Sequence, residues 1–366
     1  MGPQALEGIA VSFDHRVALD TSPKRKRGSR SPVETSRYPR LRFGLVWCLL
    51  TLACGFAPSA RYVAADEPRS AHTSLLLVIG APGEESYGKI FNEELVLWRR
   101  VAQTSDVELT VIGDQTEPTP TDKERLQTAL QRECSVQPER PLWIVFIGHG
   151  TFDGRVAAFN LRGPDVTPVE LAEWLKGCER PLAVINTTSA SAPFLTALAT
   201  PGRVVITATK SGQERNYTRF GRYFAQRVID ATADLDKDEQ TSLLEAFLAA
   251  ARDTSEFYKS DGRIMTEHPL LDDNGDGRGI RLDFFERDRL IKAPTGNQAA
   301  DGDLARRWCL KPSSTERKLT AEQTAKRDQL EAELATLRRR KGELPEEEYF
   351  AELERVLVEL ARIYQP

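Results

Sequence analysis

Short runs of bulky apolar residues recur through the middle of the chain, and the segments between them carry apolar positions three and four apart. Residues 75–79 and 142–147 are apolar and partly β-branched, the pattern of buried strands, and 107–112, 182–185 and 203–207 read as further strands. Between the first two, Phe91, Leu95, Trp98 and Ala102 mark one face of a helix. Thr121 with Glu124 is a capping box that opens a helix through Leu126 and Leu130. Thr167-Pro168 with Glu170 is another, with proline at the first helical position, and leads through Trp174. Pro193-Phe194-Leu195 starts a further helix, and two more follow around 220–228 and 242–251. Strands separated by single helices predict an α/β protein: a mainly parallel sheet with right-handed crossovers and helices on both faces.

Beyond residue 312 the pattern changes. Thr320 and Gln323 cap a charged helix bearing Leu330, Leu334 and Leu337, which Gly342 and Pro345 break. Leu353, Leu357, Leu360 and Tyr364 then stripe a second helix, so 315–366 predicts an antiparallel helical hairpin of coiled-coil character. Its charge-rich faces suit either a solvated surface or a partner. At the other end, residues 1–42 have no apolar periodicity and carry Lys24-Arg25-Lys26-Arg27 amid Ser, Pro and Gly, the composition of a disordered basic leader. Arg37, Arg40 and Arg42 precede the uncharged segment 43–60 and then Val63-Ala64-Ala65. That order is an n-region, an h-region and a small-residue cleavage site, so 43–65 reads as a signal peptide, with a retained membrane anchor as the alternative. The protein is therefore expected to be exported: periplasmic, secreted or membrane-anchored, touching a membrane only if the apolar segment is retained.

Composition narrows the chemistry. At 366 residues, 40% apolar and 28% charged, the chain is long enough for one large α/β domain plus appendages. A net charge of −4 speaks against a nucleic-acid partner. Four histidines and five cysteines, with no CxxC or HExxH, give no zinc pattern. The string Gly83-Glu84-Glu85-Ser86-Tyr87-Gly88-Lys89 fits GxxxxGK, but Ile90 stands where the Mg²⁺-binding hydroxyl belongs and two glutamates would repel phosphate. It reads as a glycine-bearing strand-to-helix loop.

The candidate chemistry sits at two strand ends. The strand over 142–147 runs into Gly148-His149-Gly150, and the strand over 182–185 into Asn186-Thr187-Thr188-Ser189-Ala190-Ser191-Ala192. A histidine and a hydroxyl cluster at the carboxyl ends of neighbouring strands form a candidate base–nucleophile pair, with backbone N–H groups as oxyanion donors. The same hydroxyls also suit helix caps. Asp153 and Asn186 flank the site, as turn formers or as groups orienting the histidine.

A buried strand ending in GHG, followed one crossover later by a strand ending in a small Ser-containing turn, resembles the caspase–legumain clan. It is similar in particular to the legumain-like peptidase C13 group and its bacterial caspase-like relatives, over about residues 74–285 and within a domain spanning 70–312. The resemblance implies that His149 occupies the general-base position, that Ser189 stands where the nucleophilic cysteine belongs, and that Gly150 and Ser189 N–H groups take the oxyanion positions. Ala192 replaces the family's glycine in that turn. A serine hydroxyl, unlike a thiol, requires a base acting in the transition state, so the resemblance implies a pseudoenzyme at least as readily as a serine-using hydrolase. Cys134 and Cys178 precede the two strands, at the end opposite the site, where adjacency of the strands would permit a disulfide; Cys309 is left over.

Two acidic loops remain. Asp234, Asp236, Asp238, Ser242 and Glu245 fall on positions 1, 3, 5, 9 and 12 of an EF-hand-type loop, with Glu239 where its glycine belongs. Asp272, Asn274 and Asp276, with Gly277 at position 6 and Asp283 at position 12, form the second. Each is a candidate Ca²⁺ site, with a helix N-terminus and an Asx-turn as the respective structural alternatives. Lys210–Arg219, including Glu214 and Arg215, joins the same rim, and His268 beside Glu267 reads as a surface or turn residue. Three functional readings follow: a catalytically degenerate peptidase-fold protein binding polypeptide or a protein partner, a peptidase or related hydrolase using Ser189 with His149, and an interaction scaffold working through the hairpin. None requires a cofactor.

Overall fold

The computed structural model describes residues 73–105, 107–116, 119–135, 140–292 and 301–365. The basic leader over 1–42 and the signal or anchor segment over 43–65 lie outside them. The first half alternates strand and helix as β1 (Ser74–Ile79), α1 (Glu85–Ser105), β2 (Glu108–Ile112), α2 (Asp122–Cys134) and β3 (Leu142–Ile147). A short hairpin follows, β4 (Gly150–Phe152) and β5 (Ala157–Phe159), then α3 (Pro168–Trp174), β6 (Leu182–Asn186), α4 (Ala192–Leu198) and β7 (Arg203–Thr207). After these come α5 (Phe220–Arg227), α6 (Leu243–Ser260), β8 (Leu270–Asp272), the small ladder β9 (Phe285–Glu286) and β10 (Arg289–Leu290), and the terminal helices α7 (Ala321–Arg339) and α8 (Glu346–Ile363).

The central sheet has the order β2-β1-β3-β6-β7-β8. Every pairing is parallel except that of β7 with β8, which is antiparallel. Strands β1, β3 and β6 are wholly buried, because helices cover both faces. On one face α1, α5 and α6 contribute Phe91, Trp98, Phe220, Phe224 and Phe247, and on the other α2, α3 and α4 contribute Leu126, Leu130, Leu171, Phe194 and Leu198. The alternation along a strand divides its side chains between these layers: Trp143, Val145 and Ile147 of β3 join the first, Leu142, Ile144 and Phe146 the second. The capping boxes at Thr121, Thr167 and Thr320 are all present. The β4–β5 hairpin, β8 and the β9–β10 ladder have no forerunner in the sequence pattern, and each of their strands is only two or three residues long.

At the amino ends of the central strands, Cys134 and Cys178 form a disulfide with their Cα atoms 4.8 Å apart. Beside it, Arg180 is buried and donates to the Glu133 carboxylate at 2.6 Å, to Ser74 Oγ at 3.0 Å and to the Pro141 carbonyl at 3.0 Å, closing three strand starts together. The terminal helices pair as expected, Leu330 and Leu334 against Val356 with Leu353, Leu360 and Ile363 around them. Among the described residues no helix is long and apolar enough to cross a membrane.

Candidate functional site

Glycine brings the histidine out of the sheet. Gly148 follows β3 with φ +152°, and a Cβ there would lie 3.1 Å from the Gly80 backbone. Gly80 N–H itself donates to the Ile147 carbonyl at 2.8 Å, so the chains after β1 and β3 touch backbone to backbone. His149 emerges from this contact half-buried, its ring 4.5 Å from that of Tyr87 and 5.1 Å from that of Phe91, both on α1 and both edge-on. Its Nε2 lies 3.2 Å from the Pro82 carbonyl oxygen. A carbonyl only accepts, so this bond requires the proton on Nε2 and leaves Nδ1 as the basic nitrogen of the neutral ring. Burial lowers the His149 pKa below the usual histidine range, while the Pro82 carbonyl and the Glu84 carboxylate oppose that shift.

The group that orients the imidazole is thus the backbone carbonyl of Pro82, immediately before the string that fits GxxxxGK. Lys89 of that string pairs with Glu85 at 2.8 Å on an exposed helix turn. Asp153 and Asn186 act as turn formers: Asp153 Oδ1 accepts from Arg155 and Val156 N–H groups, and Asn186 Oδ1 accepts from Thr188 N–H and Oγ. No side-chain pattern marks the Pro82 carbonyl, since every residue carries one.

Ser189 lies across from Gly150, on the adjacent strand end. Its Oγ donates to the Gly150 carbonyl at 2.9 Å and accepts from the Gly150 N–H at 3.2 Å. The approach is close enough that a Cβ on Gly150 would stand 2.0 Å from the Ser189 carbonyl oxygen. The turn beyond is strained and locked: Ala190 has φ +53°, its N–H donates to the Glu214 carbonyl at 2.8 Å, and Thr209 Oγ1 accepts from the N–H groups of Ser191 and Ala192. Ser189 is 4% exposed. Sheet adjacency therefore brings His149, Gly150 and Ser189 to one edge, with the serine hydroxyl and the expected oxyanion N–H bonded to each other.

Around this edge the Lys210–Arg219 segment forms a wall. Gly212 packs on the Phe152 ring, Tyr217 lies 5.5 Å from Tyr87, and the Glu214 carboxylate accepts from Lys210 N–H at 2.9 Å. His268 is no isolated surface group, because its Nδ1 meets Glu214 Oε1 at 2.5 Å. Arg215 is exposed and donates to Gln213. Glu94 of α1 packs against Gly221 of α5, is 5% exposed, and its Oε1 makes no hydrogen bond. Burial raises its pKa to about 8, against the opposing pull of the Arg222 charge and the Thr187 hydroxyl. The sequence does carry a signal for it: Glu94 stands three residues after Phe91 and four before Trp98, a charge on the apolar stripe.

The acidic loops separate in character. Asp234, Asp236 and Glu245 each bring one carboxylate oxygen within 4.8 Å of the others, and these are the residues able to share a cation. Lys237 and Glu239 adopt φ of +67° and +69°, so the loop turns as a glycine-bearing one would, at a cost in backbone strain. Two of these carboxylates already accept backbone N–H groups: Glu245 from Leu235 and Ser242, where it completes a capping box for α6, and Asp234 from Lys237 and Glu239. Asp238 is drawn instead to Gln240, through both its N–H and its side-chain amide. In the second loop Asp272 accepts from Gly275 and Gly277 N–H groups and Asn274 from Asp276, a run of Asx-turns, while Asp283 pairs with Arg281 and Lys292. Cys309 Sγ is 3.3 Å from Gln240 Oε1, and burial pushes its thiol up to about 12, which keeps it protonated.

No family model matches the chain, and no curated protein matches it. Among solved structures, caspase-1 from Spodoptera frugiperda is similar with a TM-score of 0.38 and 10% identity over 55% of this chain and 86% of that one. The Drosophila initiator caspase Dronc is similar with a TM-score of 0.39 and 12% identity over 58% of this chain and 83% of that one. These neighbours are caspases.

Proposed function

We propose that the chain is an exported, legumain/caspase-like peptidase-fold protein that binds polypeptide, or a protein partner, along the rim around His149 without cleaving it. One observation carries this reading: the Ser189 hydroxyl donates to the Gly150 carbonyl and accepts from the Gly150 N–H, so nucleophile and oxyanion donor are spent on each other. A hydroxyl whose proton already serves a carbonyl is not poised for a base, and Ser189 has no low-pKa thiolate to compensate. The remaining machinery is in good order, which supports descent from a hydrolase of the C13-like kind: a histidine held by Pro82 and a neighbouring strand end in a strained turn.

The second reading, a hydrolase using Ser189 and His149, draws on the same imidazole, whose Nδ1 is left free to act as a base. Two variants of the full chain separate them. Under the binding reading, wild type resists a serine-directed phosphonate and Ser189→Cys gains amidase activity on a peptide library. Covalent labelling of wild type that disappears in Ser189→Ala would establish the hydrolase instead.

A further inference from the structure

The terminal helical pair buries one face of α8 and leaves another uncovered. Val356, Leu353, Leu360 and Ile363 face α7. On the outward face Phe350, Leu357 and Val358 are 49%, 43% and 41% exposed, and Ala351 and Ala361 beside them are exposed as well. Positions 350, 354, 357, 358 and 361 fall together on one side of a helix. The charges on and bordering this side are ordered along the axis: Glu347 near the N-terminus, Glu354 at mid-helix and Arg362 at the border near the C-terminus, all three exposed. Among the described residues these three form no ion pair, whereas Arg355 and Glu359 on the flank are committed to Glu333 and Lys326 of α7.

We propose that this face docks on the same face of a second copy of the chain, with the two α8 helices antiparallel. A two-fold contact requires a surface complementary to itself, and this one is so in only one direction. Antiparallel pairing centred between Leu357 and Val358 sets each of these against the other in the second copy. It places Glu354 beside Ala361 and Arg362 of the second copy, and the two-fold repeats that pair. Parallel pairing stacks Glu347, Glu354 and Arg362 each on its own like charge, which is repulsive. The inward stripe on α7 and the outward stripe on the second copy then give α8 two apolar neighbours, the arrangement of a four-helix bundle.

Sedimentation equilibrium of the full chain tests the contact, with circular dichroism confirming that each variant keeps its helix content. Wild type is expected to show a reversible monomer–dimer equilibrium. Glu354→Arg and Arg362→Glu alone each place like charges across the two-fold and are expected to weaken association about tenfold or more. The combined variant re-forms the pair with its polarity reversed and is expected to return to within about threefold of wild type. A wild-type chain that stays monomeric up to roughly 0.5 mM would leave the face to some other partner and overturn the proposal. Single reversals without effect, or a combined variant no better than either single one, overturn it equally. None of these outcomes depends on whether Ser189 is a nucleophile.

Discussion

The hydroxyl of Ser189 and the peptide group of Gly150 form a closed two-way pair, donating at 2.9 Å and accepting at 3.2 Å. Both residues are buried, so neither partner can be exchanged for water at no cost. The pair joins the ends of β3 and β6 and makes the candidate nucleophile a structural residue of the sheet edge.

Ser189→Ala is therefore expected to destabilise the fold by about 1–3 kcal/mol, since it strands a buried N–H and a buried carbonyl. Gly150→Ala is expected to cost more, about 3 kcal/mol or above, because the added Cβ meets a backbone oxygen at 2.0 Å that no rotamer change can move. Urea unfolding midpoints of the two variants check the order.

His149 is expected to titrate below 6.5, as an NMR pH series on its ring protons would read, because burial lowers its pKa. Glu84→Gln removes a charge that raises that pKa and should move the midpoint further down. A histidine with a depressed folded-state pKa contributes stability that is present above about pH 6.5 and lost as the pH falls through its folded value.

Glu94 has the opposite slope. Its pKa is raised from 4.5 to about 8, so the folded state holds a proton that the unfolded state releases. The stability from that proton is complete below pH 4.5 and is lost as the pH climbs to about 8. Glu94→Gln, neutral at every pH, should flatten this dependence and exceed wild type by roughly 2–4 kcal/mol at pH 8.5 in denaturant unfolding. A wild-type chain with constant stability between pH 5 and pH 8 would contradict it.

The disulfide between Cys134 and Cys178 closes a segment with a sequence separation of 44, and the loop-entropy relation puts its contribution at about 4 kcal/mol. Cys134→Ser with Cys178→Ser, or reduction of wild type, should lower the melting temperature by similar amounts. The amidase test on Ser189→Cys then needs reducing conditions mild enough to spare this bond.

Local pattern by itself determined the strands β1, β2, β3, β6 and β7, the helices between them, three capping boxes and the terminal helical pair. Each is written in spacings of two, three or four residues, or in a cap whose donor and acceptor are three residues apart. It also placed His149 and Ser189 at the carboxyl ends of successive strands, and the Cys134 and Cys178 pair at the opposite end. The short strands β4, β5 and β8 escaped because three residues carry no period; long-range pairing made them strands. Only the tertiary structure decided what faces what: that Pro82 orients His149, that Gly150 occupies the Ser189 hydroxyl, that Glu94 Oε1 is sealed without a hydrogen bond, and that Glu214 holds His268. The first two turn on backbone atoms, which every residue shares, and all four join segments distant in the chain. Such pairings are set by how close the packed strands and helices bring them, and residue type alone does not encode that distance.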